Sequence, residues 1–181
     1  MGEAIDDTTA SAVLARRVRD QILFYPESHQ QDTLGVGEVV GRLEMSGEYR
    51  GHYFDIVEPV RACVAGWACH FSGDRMIAPQ RGHDYVIDEN ERQTWEKWLR
   101  LTYSDGRLPH VIKVVPVGVF HTIGASQRAA DLLGLDRDER RWLFADERTR
   151  EEVLDGLDLL GKGDRVAFGQ LVPKNADGDH A

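Results

Sequence analysis

The chain has 181 residues, of which 41% are hydrophobic and 29% are charged, and its formal net charge is −9. This length and composition are typical of one ordinary globular domain and not of a disordered chain. Because affinity for nucleic acids and anionic membranes comes largely from lysine and arginine, the acidic balance counts against both kinds of partner. We expect a single domain over residues 1–172, with disordered tails at 1–7 and 173–181.

The cysteines and the apolar runs predict a cytoplasmic protein. Cys63 and Cys69 are six residues apart, which on one helix corresponds to a rise of about 9 Å. A disulfide needs Cα atoms within about 7 Å, so two free thiols in a reducing compartment are expected. The start of the chain, Met1–Ala10, is acidic and polar and does not resemble a signal peptide. No run of residues approaches the roughly 20 apolar residues of a membrane span.

The first helix is predicted to begin after a capping residue at Asp7, Thr8 or Thr9. Its apolar residues recur at helical spacing and form one stripe, comprising Leu14, Val18, Ile22 and Tyr25. Pro26 disfavours helical geometry at Tyr25 and is expected to bend or stop this helix. A short polar helix over Glu27–Leu34 is predicted to follow.

Between residues 35 and 57 the pattern changes from loop to strand. Gly35–Gly51 is rich in glycine and is predicted to be a loop, with one turn around Glu38–Leu43. Tyr49–Val57 is aromatic and β-branched, with alternation over Phe54 to Ile56 that predicts a short strand.

The clearest predicted element is a buried helix over Pro59–Phe71. Proline suits the first helical turn, and Gly73 suits the position after the last turn. On a helical wheel, one face carries small residues (Ala62, Ala65, Gly66, Cys69) and another carries bulky ones (Val64, Trp67, Phe71). A helix that is apolar nearly all round is buried. Because glycine costs about 1 kcal/mol against alanine inside a helix, Gly66 predicts close approach by another backbone.

Capping boxes predict three further helices. The first opens at Asp88 with Glu91 and carries Trp95, Trp98 and Leu99, whose tryptophans either fill the core or form an exposed anchor. The second opens at Asp136 with Glu139 and carries Trp142, Leu143 and Phe144. The third opens at Thr149 with Glu152 and is expected to end at Gly161 and Gly163.

One more helix and one more strand complete the predicted elements. Ala125, Ala129, Leu132 and Leu133 share a helical face, with Gly134 as the terminator. Val111–Val119 is β-rich, and Pro116 limits it to an edge or bent strand that pairs with 84–87 or 49–57, if these segments pair at all. The predicted fold is therefore mainly α, with an orthogonal or irregular helical arrangement and a small β-strand or hairpin component.

Cys63 and His70 are the residues that invite a catalytic or metal-binding hypothesis. On a regular helix, seven residues separate them by about 10 Å, whereas a nucleophile and its base must be near 3 Å apart. A partner such as His29 or His52 remains possible in principle. A metal site from Cys63, Cys69 and His70, completed by a distant His52 or His83, lacks the paired spacing of zinc motifs. We predict no catalytic residue, no metal and no cofactor.

The segment 123–147 has the length of a helix-turn-helix, with the turn at Gly134. The second helix would have to enter a major groove. From Asp136 to Arg148 there are four arginines against five acids, so the positive field that DNA binding requires is missing. An ordinary pair of antiparallel helices is the preferred interpretation.

Four short segments resemble a family of uncharacterised proteins from actinobacteria and their phages; they are Tyr25–Gln31, Ala62–Ala68, Ala130–Leu135 and Leu143–Phe144. That family shares a Cys-Gly-Thr-x-x-Cys-x-Ala-Gly-Trp-Ala core. Here only the part from Cys63 onward matches, because Glu58-Pro-Val stands at the first three positions. The resemblance implies a helical fold and a high-GC actinobacterial or phage source, and it brings no known activity.

Three functional hypotheses follow. The leading one is a non-enzymatic accessory protein that binds a host protein or itself, for example as a homodimer, in the cytoplasm (that of the host cell if a phage encodes it). The second is a DNA-associated regulator that uses the segment 123–147. The third is a small thiol-dependent or metal-dependent enzyme centred on Cys63 and His70.

Overall fold

The computed structural model describes residues 9–44, 53–79, 111, 113–119 and 121–173. Within these residues the chain forms six α-helices and four β-strands. The helices are α1 (Ala10–Phe24), α2 (Val64–Phe71), α3 (Ala125–Leu133), α4 (Arg137–Leu143), α5 (Arg150–Lys162) and α6 (Arg165–Leu171). The strands are β1 (Val36–Glu44), β2 (Tyr53–Arg61), β3 (Arg75–Pro79) and β4 (Lys113–Val115).

Helix α1 begins and ends where its sequence signals predict. The Thr9 side chain accepts a hydrogen bond from the Ala12 amide, and the helix stops at Phe24, ahead of Pro26. The apolar stripe is correct for Val18 and Ile22, which are fully buried, and wrong for Tyr25, which lies beyond the last helical residue and is exposed. The helix predicted over Glu27–Leu34 is also wrong, because only a 3-10 turn forms, over Pro26–Ser28.

The four strands form one antiparallel sheet in the order β1-β2-β3-β4. The loop predicted over Gly35–Gly51 is wrong for its first half, which is strand β1, and the turn expected near Glu38–Leu43 lies inside that strand. Gly37 is required there, because a Cβ atom would lie 1.9 Å from the carbonyl oxygen of Glu58 on β2. The strand predicted at 49–57 is confirmed from Tyr53 and extends to Arg61.

Strand β4 is the last strand in the order that the structure describes, with a single bridge from Val114 to Ile123 on its other side. It ends before Pro116, as that proline predicts. Its partner is β3, which the sequence did not predict, and not the segment 49–57. The other suggested partner, 84–87, lies outside the described residues. So do the helix predicted from Asp88, with Trp95 and Trp98, and the predicted tails apart from Pro173.

The buried central helix is shorter than predicted. Pro59 belongs to β2 and not to a helix, since its segment pairs with β1, and α2 begins at Val64 with Cys63 as its N-cap residue. The remaining expectations for this helix are confirmed: residues 64 to 69 are all buried, and Gly73 follows the helix with a φ of 80°.

The C-terminal helices follow their capping signals. Both capping boxes form, at Asp136 with Glu139 and at Thr149 with Glu152. Gly134 and Gly163 end α3 and α5 in the left-handed conformation, whereas Gly161, expected to be a terminator, is buried inside α5. The sequence did not predict α6, whose first turn is capped by the Asp164 side chain.

A single core joins the helices to one face of the sheet. Its members include Val18 and Ile22 of α1, Trp67 of α2, Met76 of β3 and Leu157 of α5. Helix α1 packs mainly on α5, and α2 packs mainly on α3. The fold class, mainly α with a small antiparallel sheet, is therefore confirmed. Among the described helices, none has the length and apolar character that crossing a membrane requires.

Candidate functional site

Both cysteines are buried, free thiols. Burial raises the pKa of the Cys63 thiol, and the backbone N–H groups of Gly66 and Ala65 in the first turn of α2 oppose this rise without cancelling it. Burial, reinforced by the carboxylate of Asp74, raises the pKa of Cys69 to about 12. Its Sγ atom lies 3.7 Å from the carbonyl oxygen of Ala125. Because the thiolate is the nucleophilic and metal-binding form, these environments favour packing over chemistry.

His70 contacts groups other than a thiol. Its Nε2 atom lies 3.4 Å from a carboxylate oxygen of Glu58, and its ring meets the ring of Trp67 edge-on at a centroid distance of 5.7 Å. Burial lowers the pKa of His70, Glu58 raises it and Arg17 lowers it further. His29, which was suggested as a partner for Cys63, hydrogen-bonds Gln31. His52 and His83 lie outside the described residues.

No group of three or more histidine, cysteine, aspartate or glutamate side chains is arranged to hold a metal ion within the described ranges. The constellation around Cys63 and His70 thus has neither an exposed thiol nor a ligand cluster in the part of the chain that the structure describes. Cys69 and His70 contact groups on other elements and so help to attach α2 to its neighbours.

Gly66 and Trp67 are the residues that make this attachment. A Cβ atom on Gly66 would lie 1.8 Å from the carbonyl oxygen of Leu34, so another backbone approaches closely, as predicted. The Trp67 indole N–H donates to the carbonyl oxygen of Ser28 at 3.1 Å. Both contacts join α2 to the segment that follows α1.

The end of α1 and the turn after it carry the most exposed aromatic side chains among the residues whose exposure the structure describes. Phe24 is 68% exposed and Tyr25 is 56% exposed, and the preceding Leu23 is 38% exposed. We call residues 21–31 the aromatic corner, since the chain leaves α1 here through the turn at Pro26–Ser28. Sequence reasoning missed this surface because it placed Tyr25 on the buried stripe. The signal for it was two consecutive aromatic residues directly before Pro26.

Hydrogen bonds between residues of the aromatic corner stabilise its backbone. The Tyr25 carbonyl accepts from both the backbone N–H and the hydroxyl of Ser28, at 2.8 and 2.6 Å. The Gln21 side-chain amide in turn donates to the Ser28 hydroxyl at 3.1 Å. Phe24 and Tyr25 are thereby exposed on a backbone that is well fixed.

Two side chains connect the aromatic corner to the C-terminal helices, one from each side of the contact. Arg150, at the start of α5, donates to the carbonyl oxygens of Ile22 and Leu23 at 2.9 and 3.1 Å. Gln31 donates to the carbonyl oxygens of Leu143 and Ala145 at the end of α4, at 2.9 and 3.3 Å.

The predicted helix-turn-helix segment forms a helix pair, α3 and α4. Several of its charged side chains make contacts within the protein. Asp136 and Glu139 make the capping box, and Glu139 is also paired with Arg165 of α6. Arg140 bonds Gln127 of α3. Helix α4 has only seven residues, which is two turns.

A cleft of about 170 Å³ lies beside this pair, lined by Trp142 and by the end of α6 around Val172. It is smaller than the roughly 300–1,000 Å³ of typical ligand pockets. Two arginines and two acids balance its charge, namely Arg141, Arg148, Asp138 and Glu147.

Comparisons with protein-family models, with curated proteins and with solved structures give no significant match to this chain.

Proposed function

We propose that the protein is a non-enzymatic interaction protein that binds another protein through Phe24 and Tyr25. The exposure of these two adjacent aromatic side chains at the end of α1 is the observation that carries the proposal. The sequence resemblance supports a source in actinobacteria or their phages, and for such a source we propose an accessory role with a host protein as the partner and the host cytoplasm as the location.

An exposed aromatic pair can contribute a large buried area to a protein interface. Aromatic residues are enriched where partner proteins bury their energetic centres, and each buries about 150–250 Å² of surface. The hydrogen bonds of Ser28 and Arg150 keep the aromatic corner ordered before binding. A pre-ordered surface loses less conformational entropy on association.

Charge favours a basic partner over a second copy. With a net charge of −9, two copies repel each other at long range, whereas a basic protein is attracted. Self-association through the same residues remains the alternative form of this proposal.

The other two hypotheses have weaker support. A regulator would read DNA with α4, which is two turns long and has two of its charged residues engaged in contacts with α3 and α6. A thiol enzyme would need Cys63, whose pKa is raised by burial.

The test is affinity capture from an actinobacterial lysate with wild-type protein and with the double variant Phe24→Ser/Tyr25→Ser. Since both side chains are exposed, the variant should fold and melt like the wild type. We expect it to lose the captured partner. Val166→Ser is the matched control, because Val166 is an apolar residue on α6 that is 76% exposed. This control should capture as the wild type does.

Equal capture by the double variant and the wild type would contradict the proposal. A wild-type protein that captures nothing specific and stays monomeric in light scattering would also contradict it. A dimer in light scattering that the double variant loses would identify self-association as the contact. Duplex binding that weakens steeply with salt would instead favour the DNA-associated regulator.

A further inference from the structure

The cleft beside Trp142 is a second candidate site, separate from the exposed pair Phe24 and Tyr25. It has a volume of about 170 Å³ and lies where α4, the connection to α5 and the end of α6 meet. Trp142 and Val172 line it and are both buried, so part of its wall is apolar. A cavity of about 150 Å³ in a protein interior holds a benzene molecule. The cleft therefore has room for a ligand of about that size, and not for a nucleotide.

The polar part of the cleft carries both signs of charge. Asp138, Arg141 and Glu147 line it and are exposed. None of these three side chains makes an ion pair or a hydrogen bond with another residue in the part of the chain that the structure describes. One ligand can therefore meet an anionic group and a cationic group of the protein, and neither group has to give up an internal partner.

Arg148, which also lines the cleft, has one edge of its guanidinium without a protein acceptor. Its Nη1 atom donates to Glu152 at 2.8 Å, and its Cζ atom lies 5.2 Å from the centre of the Trp142 ring. Its Nε atom is buried and has no hydrogen-bond acceptor among the described residues. Arg128 uses this same edge to bind the carboxylate of Asp74, with Nε and Nη2 donating at 2.8 and 3.1 Å. The corresponding edge of Arg148 thus has the donor geometry that a carboxylate matches.

We propose that the cleft binds a small zwitterion, namely a free α-amino acid with a short apolar side chain such as valine. The ligand carboxylate accepts hydrogen bonds from Arg141 and Arg148. Its ammonium group donates to Asp138 and Glu147, and its side chain packs on Trp142. A turn of the Arg148 guanidinium toward the cleft gains a hydrogen bond for Nε, because that atom has no acceptor to leave.

The two signs of charge select against ligands that carry only one. A simple carboxylate leaves the two acids of the cleft without a partner and is repelled by them. A simple amine leaves the Nε edge of Arg148 without an acceptor and is repelled by the arginines. Only a ligand with both groups pairs with both kinds of side chain.

The test is an NMR titration of the whole chain with L-valine at up to about 10 mM. Isovalerate and isobutylamine are the matched ligands, since each is valine without one of its two charged groups. We expect valine to shift the indole N–H signal of Trp142 and the Nε–H signal of Arg148 in a saturable way. Each of the other two ligands should bind about tenfold or more weakly, because it lacks a set of charged hydrogen bonds. Arg148→Lys identifies the Nε–H signal, since lysine has no such group.

Two variants test the residues of the cleft. Arg141→Gln and Asp138→Asn change exposed side chains, so both should melt like the wild type, and each should weaken valine binding about tenfold. Arg137→Gln is the matched control, because Arg137 is an exposed arginine of α4 that does not line the cleft. It should bind valine as the wild type does.

Three results would overturn the inference. They are the absence of a saturable shift with valine, binding of isovalerate or isobutylamine that equals that of valine, and equal weakening by Arg137→Gln and Arg141→Gln. None of them bears on the proposed function of Phe24 and Tyr25, because capture by those residues is measured with other variants.

Discussion

At the scale of single residues, Gly66 shows how a close backbone contact can require glycine at one position. Its missing side chain lets α2 approach the carbonyl of Leu34, at a position where a Cβ atom would be 1.8 Å from oxygen. Alanine would relieve the entropic cost of glycine in a helix, but neither backbone can move without disturbing buried neighbours. The close approach therefore outweighs helix propensity at this position.

We predict that Gly66→Ala destabilises the protein by about 3 kcal/mol or more, the upper end of overpacking effects. Gly169→Ala in α6 is the control, because no atom lies within 4 Å of its Cβ position. That substitution should be neutral or stabilise by up to about 1 kcal/mol. Denaturant unfolding of both variants measures the difference. Equal stability of the two variants would show that α2 and Leu34 are not in contact.

Residues held by contacts from distant parts of the chain were partly predictable. The cost of a glycine inside an apolar helix points to Gly66, whereas the glycine-rich pattern around Gly37 predicts a loop. Gly37 sits in β1 because β2 approaches it, and a single sequence does not show which strands will be neighbours. Tyr25 was placed on the buried stripe because its spacing suits a helix, yet Pro26 ends the helix first.

At the scale of elements, arginines hold the ends of several helices. Of the 22 basic residues only four are lysines, a skew for which a GC-rich coding genome is a sufficient origin. In the structure, several of these guanidinium groups form hydrogen bonds at helix ends. Arginines donate to carbonyl oxygens at the ends of α1, α2, α3 and α5, in the pairs Arg150–Ile22, Arg17–Phe71, Arg165–Gly134 and Arg16–Gly161. These carbonyls lack a partner within their own helix.

We predict that Arg150→Lys destabilises the protein by about 1–2 kcal/mol, because an ammonium keeps the charge but cannot reproduce three directed hydrogen bonds. Arg141→Lys is the control, since Arg141 is exposed and its side chain makes no hydrogen bond within the described part of the chain. Its effect should stay within about 0.5 kcal/mol. Thermal or denaturant unfolding that gives the same result for both variants would contradict this role for Arg150.

The two helices that begin with a capping box within the described residues were predicted well, whereas the strands without alternation were not. The capping boxes at Asp136 and Thr149 form as expected, because they involve residues three apart. Strands β1 and β3 depend on pairing partners elsewhere in the chain, and β3 has no alternation to reveal it. Helix α6 was missed although Asp164 supplies a local cap to Ala167.

At the scale of the whole molecule, the mainly α class and the buried position of α2 were predictable, because composition and helical spacing determine them. The sheet order was not, because it depends on which strands become neighbours. The attachment of the aromatic corner to α4 and α5 was not either, because its contacts join residues more than 100 positions apart in sequence. The candidate contact surface is therefore a product of the tertiary fold.

The claim that Phe24 and Tyr25 meet a partner protein is tested most directly by site-specific photo-crosslinking. A photoreactive phenylalanine analogue replaces Tyr25 in one sample and Val166 in another, and both are irradiated in an actinobacterial lysate. The account predicts one specific protein adduct from position 25 and none from position 166. No adduct from position 25, or the same adduct from both positions, would contradict it.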